Sequence, residues 1–410
     1  MTCRSRKRSL SMINYCESPG APEAELISYA EYLIPKLRNR APSCEKTRRL
    51  SDETISDLVQ GGLIRSTVPK RLGGSEIGYH TAMLICAAIS RGCGSTGLVT
   101  ANMLGCTLTA ALWPEKAQDE IWGKSIDTII TGTLIFPKGK AKKVEGGYIL
   151  SGRWPFGSGI LASSWNIFGA AVEAEHNQGG QELRMFLVPK KDWSTIDTWQ
   201  TAILRGTGSH DVEVNDKFVP SYRTISVEQQ LGDCAPGCKI NTGPVYKLPI
   251  FSMFFSWIGS VVLGIAQGSV DDFINVTKTR VTDHGAYNLR DFTPIQIKVA
   301  DARMSVDTAR RIYLQNCDEA MGIVQSNRLP TIDERTRWRG EGAFAARLCV
   351  NAVDLLFTAS GGGGLYDRNP ISRAFRDIHG AHAQITQSFD VNATTYGRVL
   401  LGMESDNSLL

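Results

Sequence analysis

The sequence predicts an α+β protein with an N-terminal helical domain, a central antiparallel β-domain and a C-terminal four-helix bundle. Three observations lead to this prediction. Apolar residues recur three and four positions apart from about Glu23 to Gly123, as on one face of a helix. From about Ser125 the pattern changes to short alternating runs separated by turn residues. From Pro249 onwards the helical spacing returns in long segments.

These changes of pattern also predict the domain boundaries. We expect a disordered tail at 1–20, the helical domain at 21–124, the β-domain at 125–222, a linker or surface loop at 223–248 and the bundle at 249–404.

The composition is that of a folded globular chain. The 410 residues are 42% apolar and 21% charged, so two or three structural units are expected rather than a disordered chain. A net charge of +4 is too small to indicate nucleic-acid binding. No uninterrupted apolar run approaches the roughly 18 residues of a membrane span. The longest candidate, 251–265, is interrupted by serines and Gly259 and is interpreted as a buried helix.

The cysteines and the N-terminus bear on the cellular compartment. Ten scattered cysteines do not form the dense pattern of a disulfide scaffold, which predicts a reducing, cytoplasmic environment. Cys234 and Cys238 form a single C-x3-C pair, too little to indicate zinc. The basic segment 4–8 is interpreted as part of a frayed tail, with a poor organelle presequence as the alternative.

In the first domain, helical periodicity occurs at 26–37, 55–63 and 80–89. Ser51, followed by two acidic residues, is a predicted helix N-cap. The strongly apolar segment 95–113 contains several small residues, which predicts a helix that closely approaches another helix or a ligand.

The central and C-terminal segments follow in the same way. Six short runs predict a compact antiparallel sandwich or barrel: 127–134, 142–150, 165–172, 183–188, 198–204 and 210–214. Long helical segments then follow at 251–280, 294–324, 332–360 and 371–400, with a glycine run at 361–364 before the last of them.

The segment 146–165, GGYILSGRWPFGSGILASSW, is the best candidate for a ligand site. Its first half alternates as a half-buried strand does, and its second half places glycines and serines between aromatic residues. Glycine permits close approach of the backbone to a flat ligand, and a hydroxyl such as that of Ser158 can donate or accept at a heterocycle edge. The alternative is a strand pair whose tryptophans fill a core.

Common catalytic motifs are absent from the sequence. It contains no G-x-S-x-G, no H-E-x-x-H, no P-loop lysine and no G-x-G-x-x-G between a strand and a helix. His379 and His382 are three residues apart on a predicted helix, but no third ligand accompanies them, so no metal is expected.

Four motifs together carry a resemblance to a known family. The sequence contains TGT at 131–133, GGYILSGRWPFGSG from 146, LRGTGSHDVEVNDKFVP at 204–220 and FRDIHGAHA at 375–383. These resemble the acyl-CoA dehydrogenase fold and, more narrowly, its reduced-flavin-dependent monooxygenase branch, the oxygenase components of two-component aromatic hydroxylases. The similarity extends from about residue 23 to 397, nearly the whole chain.

The resemblance implies a function and a set of partners. Such an enzyme takes reduced FMN or FAD from a separate NAD(P)H:flavin reductase. It forms a flavin C4a-hydroperoxide with O2 and oxygenates a small aromatic or secondary-metabolite substrate. The resemblance also implies a homodimer or homotetramer formed through the C-terminal bundle.

The resemblance further assigns roles to individual positions. Thr133 and Ser158 match hydroxyls that contact the isoalloxazine ring, while Trp154 and Trp165 would wall it. Arg280 matches an arginine that reaches a flavin phosphate, often across a subunit interface. The remaining cofactor positions are Gln296, Gly362 and Gly363, and the positions expected to line the substrate pocket are Asn102 and Cys106.

Two of these roles have structural alternatives. Thr133 could merely satisfy a strand edge. Arg280 could close a helix end or pair with Asp283.

The catalytic positions depart from the dehydrogenases of this fold. Gln384 lies where those enzymes carry a C-terminal glutamate, and the other known position of the base falls near Phe254. Because α-proton abstraction needs a positioned base, these departures favour the oxygenase branch. That branch has a histidine near the same site, which His382 or Gln384 would replace, with Ser158 completing the catalytic set. The alternatives are a flavin-bound dehydrogenase or oxidase, or a catalytically altered member of the fold.

Overall fold

The computed structural model describes residues 21–172, 181–281 and 287–410. The tail predicted at 1–20, the turn signal at 177–180 and the possible partner Asp283 lie outside the described residues.

Five helices form the first part of the fold. They are α1 (Ala21–Thr47), α2 (Asp52–Gln60), α3 (Tyr79–Gly92), α4 (Gly94–Ala110) and α5 (Glu115–Trp122). The predicted cap is confirmed, since Ser51 Oγ accepts a hydrogen bond from the Thr54 N–H at 3.2 Å. The apolar helix α4 is buried along most of its length, as its composition predicts.

Eight strands of the described residues form the central sheet. They are β1 (Ile130–Thr133), β2 (Gly139–Val144), β3 (Gly147–Gly157), β4 (Trp165–Val172), β5 (Glu182–Pro189), β6 (Ser194–Ile196), β7 (His210–Pro220) and β8 (Thr224–Ser226). The strand order is β6-β7-β3-β2-β4-β5-β8, with β1 paired to β4. The sheet is mostly antiparallel, but β4 pairs in parallel with both β1 and β2.

Two strand predictions were wrong in detail. The run 142–150 is not one strand but the two arms of the β2–β3 hairpin, which turns at Glu145 and Gly146. The run 198–204 contains no strand, and the neighbouring strand is β6. The residues of 198–204 instead form a loop that approaches the C-terminal helices, as described below.

Alternate residues of the sheet enter two different cores. Ile167, Met185 and Leu187 pack into the large core shared with the helices. Phe168, Phe186 and Val188 point to the opposite face and form a second, smaller core with Trp154 and Trp193. The period-two pattern of these strands therefore serves two apolar faces, which explains why both faces of β4 and β5 are buried.

The segment 223–248 is more ordered than the linker we expected. It contains β8 and three short 3-10 turns, and it buries Ala235 and Tyr246. Asn241 Nδ2 donates to Ala111 O at 2.7 Å, which fastens the segment to the end of α4.

Beyond residue 249, the part of the chain that the structure describes contains five α-helices. They are α6 (Ile250–Thr277), α7 (Thr293–Gln325), α8 (Ile332–Ala359), α9 (Pro370–His382) and α10 (Phe389–Leu400). The predicted final helix at 371–400 is thus two helices, separated by the 3-10 turn Ile385–Gln387. Helix α6 is the central element, and Gly264 permits its close contact with α3, because a Cβ there would lie 2.2 Å from Ala87 O.

Two described helices, α6 and α8, are long and apolar enough to span a membrane by length and composition alone. From the sequence we expected no membrane span, because no uninterrupted apolar run is long enough. The most apolar window of α6 is 83% buried inside the protein, as in the core helix of a globular fold, and that of α8 is 50% buried.

Candidate functional site

The site is built around a bulge near the end of β3. The pairing of β3 with β7 changes register between Trp154 and Gly157. Phe156 lies at the bulge with a left-handed φ of +64° and a side chain that is 60% exposed. A bulky residue in this conformation stores backbone strain, a feature that concentrates at functional sites. The bulge therefore presents a flat aromatic ring at the surface of the β-domain, with the Trp199 ring edge-on to it at 6.2 Å.

Ser158 follows the bulge and is half-buried. Its hydroxyl lies 2.7 Å from Ser209 Oγ, and Ser209 Oγ lies 2.6 Å from Thr207 Oγ1. Thr207 Oγ1 donates to Leu204 O at 2.8 Å. Three hydroxyls thus form a continuous chain from β3 into the Leu204–Ser209 loop.

Helix α4 meets the same position from the other side. Asn102 Nδ2 donates to Ser158 O at 2.9 Å, and Cys106 Sγ lies 3.3 Å from Asn102 Oδ1. Cys106 also lies against Gly132 of β1, where a Cβ would be 2.7 Å from the sulfur. Burial raises the pKa of the Cys106 thiol to about 12, so it stays protonated at neutral pH. The structure therefore brings three predicted site residues together: Asn102, Cys106 and Ser158.

Thr133 is almost fully buried on β1. Asn166 Nδ2 donates to Thr133 Oγ1 at 3.0 Å, while Asn166 Oδ1 accepts from Thr131 Oγ1 at 2.8 Å. A hydroxyl that accepts one bond still has a proton to donate. Asn166 thus orients the Thr133 hydroxyl within the sheet, which agrees with the alternative that Thr133 satisfies a strand edge. The hydroxyl can still donate its own proton to a ligand.

The structure contradicts the prediction for Trp154. Its indole is fully buried in the smaller core against Phe168, with ring centroids 4.6 Å apart, and Nε1 donates to Gly169 O at 2.8 Å. A side chain enclosed in this way cannot contact a ligand. Trp165 is half-buried, and the Arg223 guanidinium lies 5.2 Å from its ring centroid. The exposed aromatic residue of the motif is Phe156.

A second group of predicted residues meets at the end of α8. Arg280 Nη1 donates to Ser360 O at 3.1 Å. A Cβ on Gly363 would lie 3.4 Å from Arg280 Nη2, whereas Gly362 has open space around its Cβ position. The guanidinium and the glycine turn thus form one surface, open enough for an anionic group to approach. Gln296 is exposed on α7 and donates to Arg290 O at 3.0 Å.

The predicted catalytic residues at the end of α9 differ in what they can do. Gln384 Oε1 accepts from the Thr386 N–H at 2.6 Å and from the Thr386 hydroxyl, so it caps the following 3-10 turn and leaves only its NH2 group to donate elsewhere. His382 Nε2 is buried and has no hydrogen-bond partner within the described residues. Burial, together with nearby His379, lowers the pKa of His382, so its imidazole is neutral at pH 7.

These observations allow a test of whether flavin fits. The bulge offers an exposed aromatic face and a hydroxyl, and the Arg280 surface offers a guanidinium beside glycines, as a phosphate needs. The residues that meet beside the bulge, Asn102, Cys106 and Ser158, are all uncharged. No group of three or more potential metal ligands occurs within 21–172, 181–281 and 287–410. The residues present fit a flat heterocycle with a phosphate tail.

Comparison with known proteins decides the family. The N-terminal domain model of acyl-CoA dehydrogenase matches residues 28–126, and the C-terminal domain model matches residues 256–387. A pigment production hydroxylase from a Rhodococcus species is 32% identical over 94% of this chain and 98% of its own length. The chain belongs to the acyl-CoA dehydrogenase family.

Two further similarities specify the branch. The oxygenase component of an FADH(2)-dependent resorcinol hydroxylase from a Rhizobium species is 29% identical, over 93% of this chain and 95% of that protein. The structure of XiaF from a Streptomyces species in complex with FADH2 and glycerol superposes with a TM-score of 0.86 at 27% identity, over 95% of this chain and 98% of that one. This member of the acyl-CoA dehydrogenase family is a flavin-dependent monooxygenase, an oxidoreductase that uses reduced flavin.

Sequence reasoning missed several residues of this site. Phe156 was recognised as one of three aromatic residues of the segment but was assigned no role, and its positive φ leaves no mark in the sequence. Thr207 and Ser209 lie inside the LRGTGS motif but were assigned no role. Their signal was present, because three hydroxyl-bearing residues in two glycine-rich motifs suggest a hydrogen-bonded network.

Proposed function

We propose that this chain is the oxygenase component of a two-component system that hydroxylates a small aromatic substrate. Reduced FMN or FAD is supplied by a separate NAD(P)H:flavin reductase, and O2 is the oxidant. The observation that carries the proposal is the uncharged cluster of Asn102, Cys106 and Ser158 beside the exposed ring of Phe156. A dehydrogenase of this fold needs a carboxylate base, whereas this cluster supplies only neutral donors and acceptors.

Each residue has a proposed role in holding the flavin. The Phe156 ring packs against the isoalloxazine, and Ser158 and Thr133 offer hydroxyls to its polar edge. Arg280 binds a phosphate, with Gly362 and Gly363 admitting its oxygens. When bound, the reduced flavin supplies the electrons that activate O2. Gln296 lies on α7 and contributes at the edge of the Arg280 surface.

The substrate side of the site is proposed to lie between α4, β3 and the end of α9. The neutral thiol of Cys106 and the neutral imidazole of His382 suit an uncharged phenolic substrate rather than an anion. The unpartnered Nε2 of His382 and the NH2 group of Gln384 are the donors available to an oxygen atom of the substrate or the activated oxygen.

Exposed apolar side chains on the C-terminal half support a homodimer or homotetramer. They include Ile297, Met304, Leu365, Tyr366 and Leu401. Where such side chains form one contiguous patch, they mark an interface. The cysteine usage, with all eight described cysteines free, supports a cytoplasmic location.

The proposal is tested by flavin titration of the purified protein in both redox states. We expect reduced flavin to bind, and Arg280→Ala to raise its Kd about tenfold or more, as for a hydrogen bond to a charged group. Ser158→Ala should raise the Kd about threefold to tenfold, as for a neutral bond. Cys106→Ala and the control Arg290→Ala, an exposed arginine paired with Asp291, should leave the Kd within about twofold.

Turnover completes the test. Reduced flavin, 18O2 and a panel of phenols should give a product that carries one labelled oxygen atom, as detected by mass spectrometry. Failure to bind flavin in either state would overturn the proposal. Reduction of enzyme-bound oxidised flavin by an acyl-CoA would instead identify a dehydrogenase.

A further inference from the structure

The hydroxyl chain at Ser158 has a definite direction. A carbonyl oxygen can only accept, so the 2.8 Å bond between Thr207 Oγ1 and Leu204 O uses the Thr207 proton. Each hydroxyl has a single proton. Ser209 must therefore donate in its 2.6 Å contact with Thr207, and Ser158 must donate in its 2.7 Å contact with Ser209.

This direction determines what Ser158 can offer a ligand. With its proton committed to Ser209, the Ser158 oxygen has lone pairs but no hydrogen to present. Ser209 and Thr207 are almost fully buried, so water does not compete for their protons. The Ser158 hydroxyl is thus held as an acceptor by two residues that themselves need not touch the ligand.

The acceptor that fixes this direction is itself held in place. Leu204 has a left-handed φ of +50°, a strained conformation for a leucine. Its N–H donates to Asp377 Oδ1 of α9 at 2.7 Å, and its carbonyl also accepts from Trp199 Nε1 at 3.2 Å. Helix α9 comes this close because Gly380 lies against Ile203, where a Cβ would be 2.2 Å from Cγ2.

The two redox states of flavin differ in hydrogen bonding at the ring nitrogens. In oxidised flavin N5 is an acceptor, whereas in reduced flavin N5 carries a hydrogen and is a donor. An acceptor-only hydroxyl that faces N5 therefore matches the reduced ring, and against the oxidised ring it would place two lone pairs face to face.

We propose that Thr207 and Ser209 are positioning residues that hold the Ser158 hydroxyl as an acceptor and so make the site prefer reduced over oxidised flavin. This inference rests on the proposed function, because it requires flavin to lie with N5 facing the Ser158 hydroxyl. The preference for reduced flavin is thus attributed to two buried hydroxyls behind Ser158, those of Thr207 and Ser209, and not to Ser158 alone.

The experiment measures the ratio of the Kd for oxidised flavin to the Kd for reduced flavin, the latter under anaerobic conditions. In Ser209→Ala and Thr207→Val the Ser158 proton is free to turn towards the ligand, so the ratio should fall about threefold to tenfold, the worth of one neutral hydrogen bond. Thr207→Ser keeps the hydroxyl and should keep the ratio.

The controls are Thr336→Val and Ser260→Ala, which remove equally buried hydroxyls that donate to helix carbonyls in α8 and α6. They should leave the ratio unchanged. Thermal unfolding followed by circular dichroism shows that each variant is folded.

The outcomes separate this inference from the function on which it rests. A purely structural role would raise both Kd values together and leave the ratio unchanged in Ser209→Ala and Thr207→Val. That result would overturn the inference and leave the monooxygenase assignment standing. If the unaltered protein binds flavin in neither state, the proposed function falls and the inference falls with it.

Discussion

Phe156 and Trp154, two residues apart on β3, have opposite surroundings and should respond oppositely to substitution. Phe156 is 60% exposed in a strained conformation, so Phe156→Ala should change Tm little. Its loss should raise the flavin Kd about tenfold, the scale of removing one aromatic stacking partner. Trp154→Phe should leave the Kd unchanged but destabilise the fold by about 1–3 kcal/mol, because it leaves Gly169 O without its donor.

Phe218→Ala is the matched control for Phe156, since Phe218 is an exposed phenylalanine on β7 of the same domain. Both titrations and thermal melts are needed for each variant. A Trp154→Phe protein that melts normally but binds flavin poorly would restore the role that the sequence motif implied for Trp154.

The same pair of residues shows the limit of sequence reasoning at this scale. The motif directed the prediction to the segment that contains the bulge, because glycines and serines are uncommon in an ordinary strand. It could not show which aromatic side chain turns outward. That depends on the bulge, where Gly157 packs so closely to Val212 and His210 that a Cβ would lie within 2.8 Å of either. Those contacts come from a strand more than fifty residues later.

Helices with a sustained apolar periodicity could be predicted from the sequence. Element boundaries that depend on contacts with other parts of the chain could not. The long apolar periodicities located α6, α7 and α8, and the glycine run marked the end of α8. The split between α9 and α10 has no such periodic signal. It depends on buried polar contacts, in which Gln387 Nε2 donates to Phe255 O at 3.1 Å and Gln387 Oε1 accepts from the Tyr313 hydroxyl.

Helix α9 carries a buried carboxyl that should make stability depend on pH. The pKa of Asp377 is raised to about 7, mainly by burial; Cys93 and Glu45 act in the same direction, while the Leu204 N–H and Arg376 oppose the shift. The folded chain thus binds more protons than the unfolded chain between about pH 4 and pH 7. Stability therefore falls as pH rises through this window, by at most about 4 kcal/mol.

Asp377→Asn removes this dependence and keeps an oxygen that can accept from Leu204. The Tm of the variant relative to the unaltered protein should therefore rise between about pH 4 and pH 7 and level off above that. Asp301→Asn, on the exposed face of α7, is the control. A difference in Tm that is independent of pH would show that Asp377 does not titrate in the folded protein.

At the scale of the whole molecule, the arrangement of Arg280 suggests that the site is shared. Arg280 and the glycine turn at 361–364 form one surface of the C-terminal half, where Leu365 and Tyr366 are also 70% and 56% exposed. A surface that is proposed to bind phosphate and is bordered by exposed apolar side chains is suited to meet a second copy of the chain. In a symmetric dimer each copy would then lend its Arg280 to the flavin held by the other.

This sharing can be tested by mixing two defective chains. In dimers formed from one Ser158→Ala chain and one Arg280→Ala chain, a site built across the interface is intact in one of the two positions, because the good serine and the good arginine meet there. Random pairing of equal amounts should therefore restore about a quarter of the high-affinity flavin sites, whereas neither variant alone has any. If serine and arginine act within the same chain, every site keeps one defect and mixing restores nothing. Titration of refolded mixtures with reduced flavin measures the fraction directly, and tandem affinity tags that isolate the mixed dimer should raise it to about half of the sites.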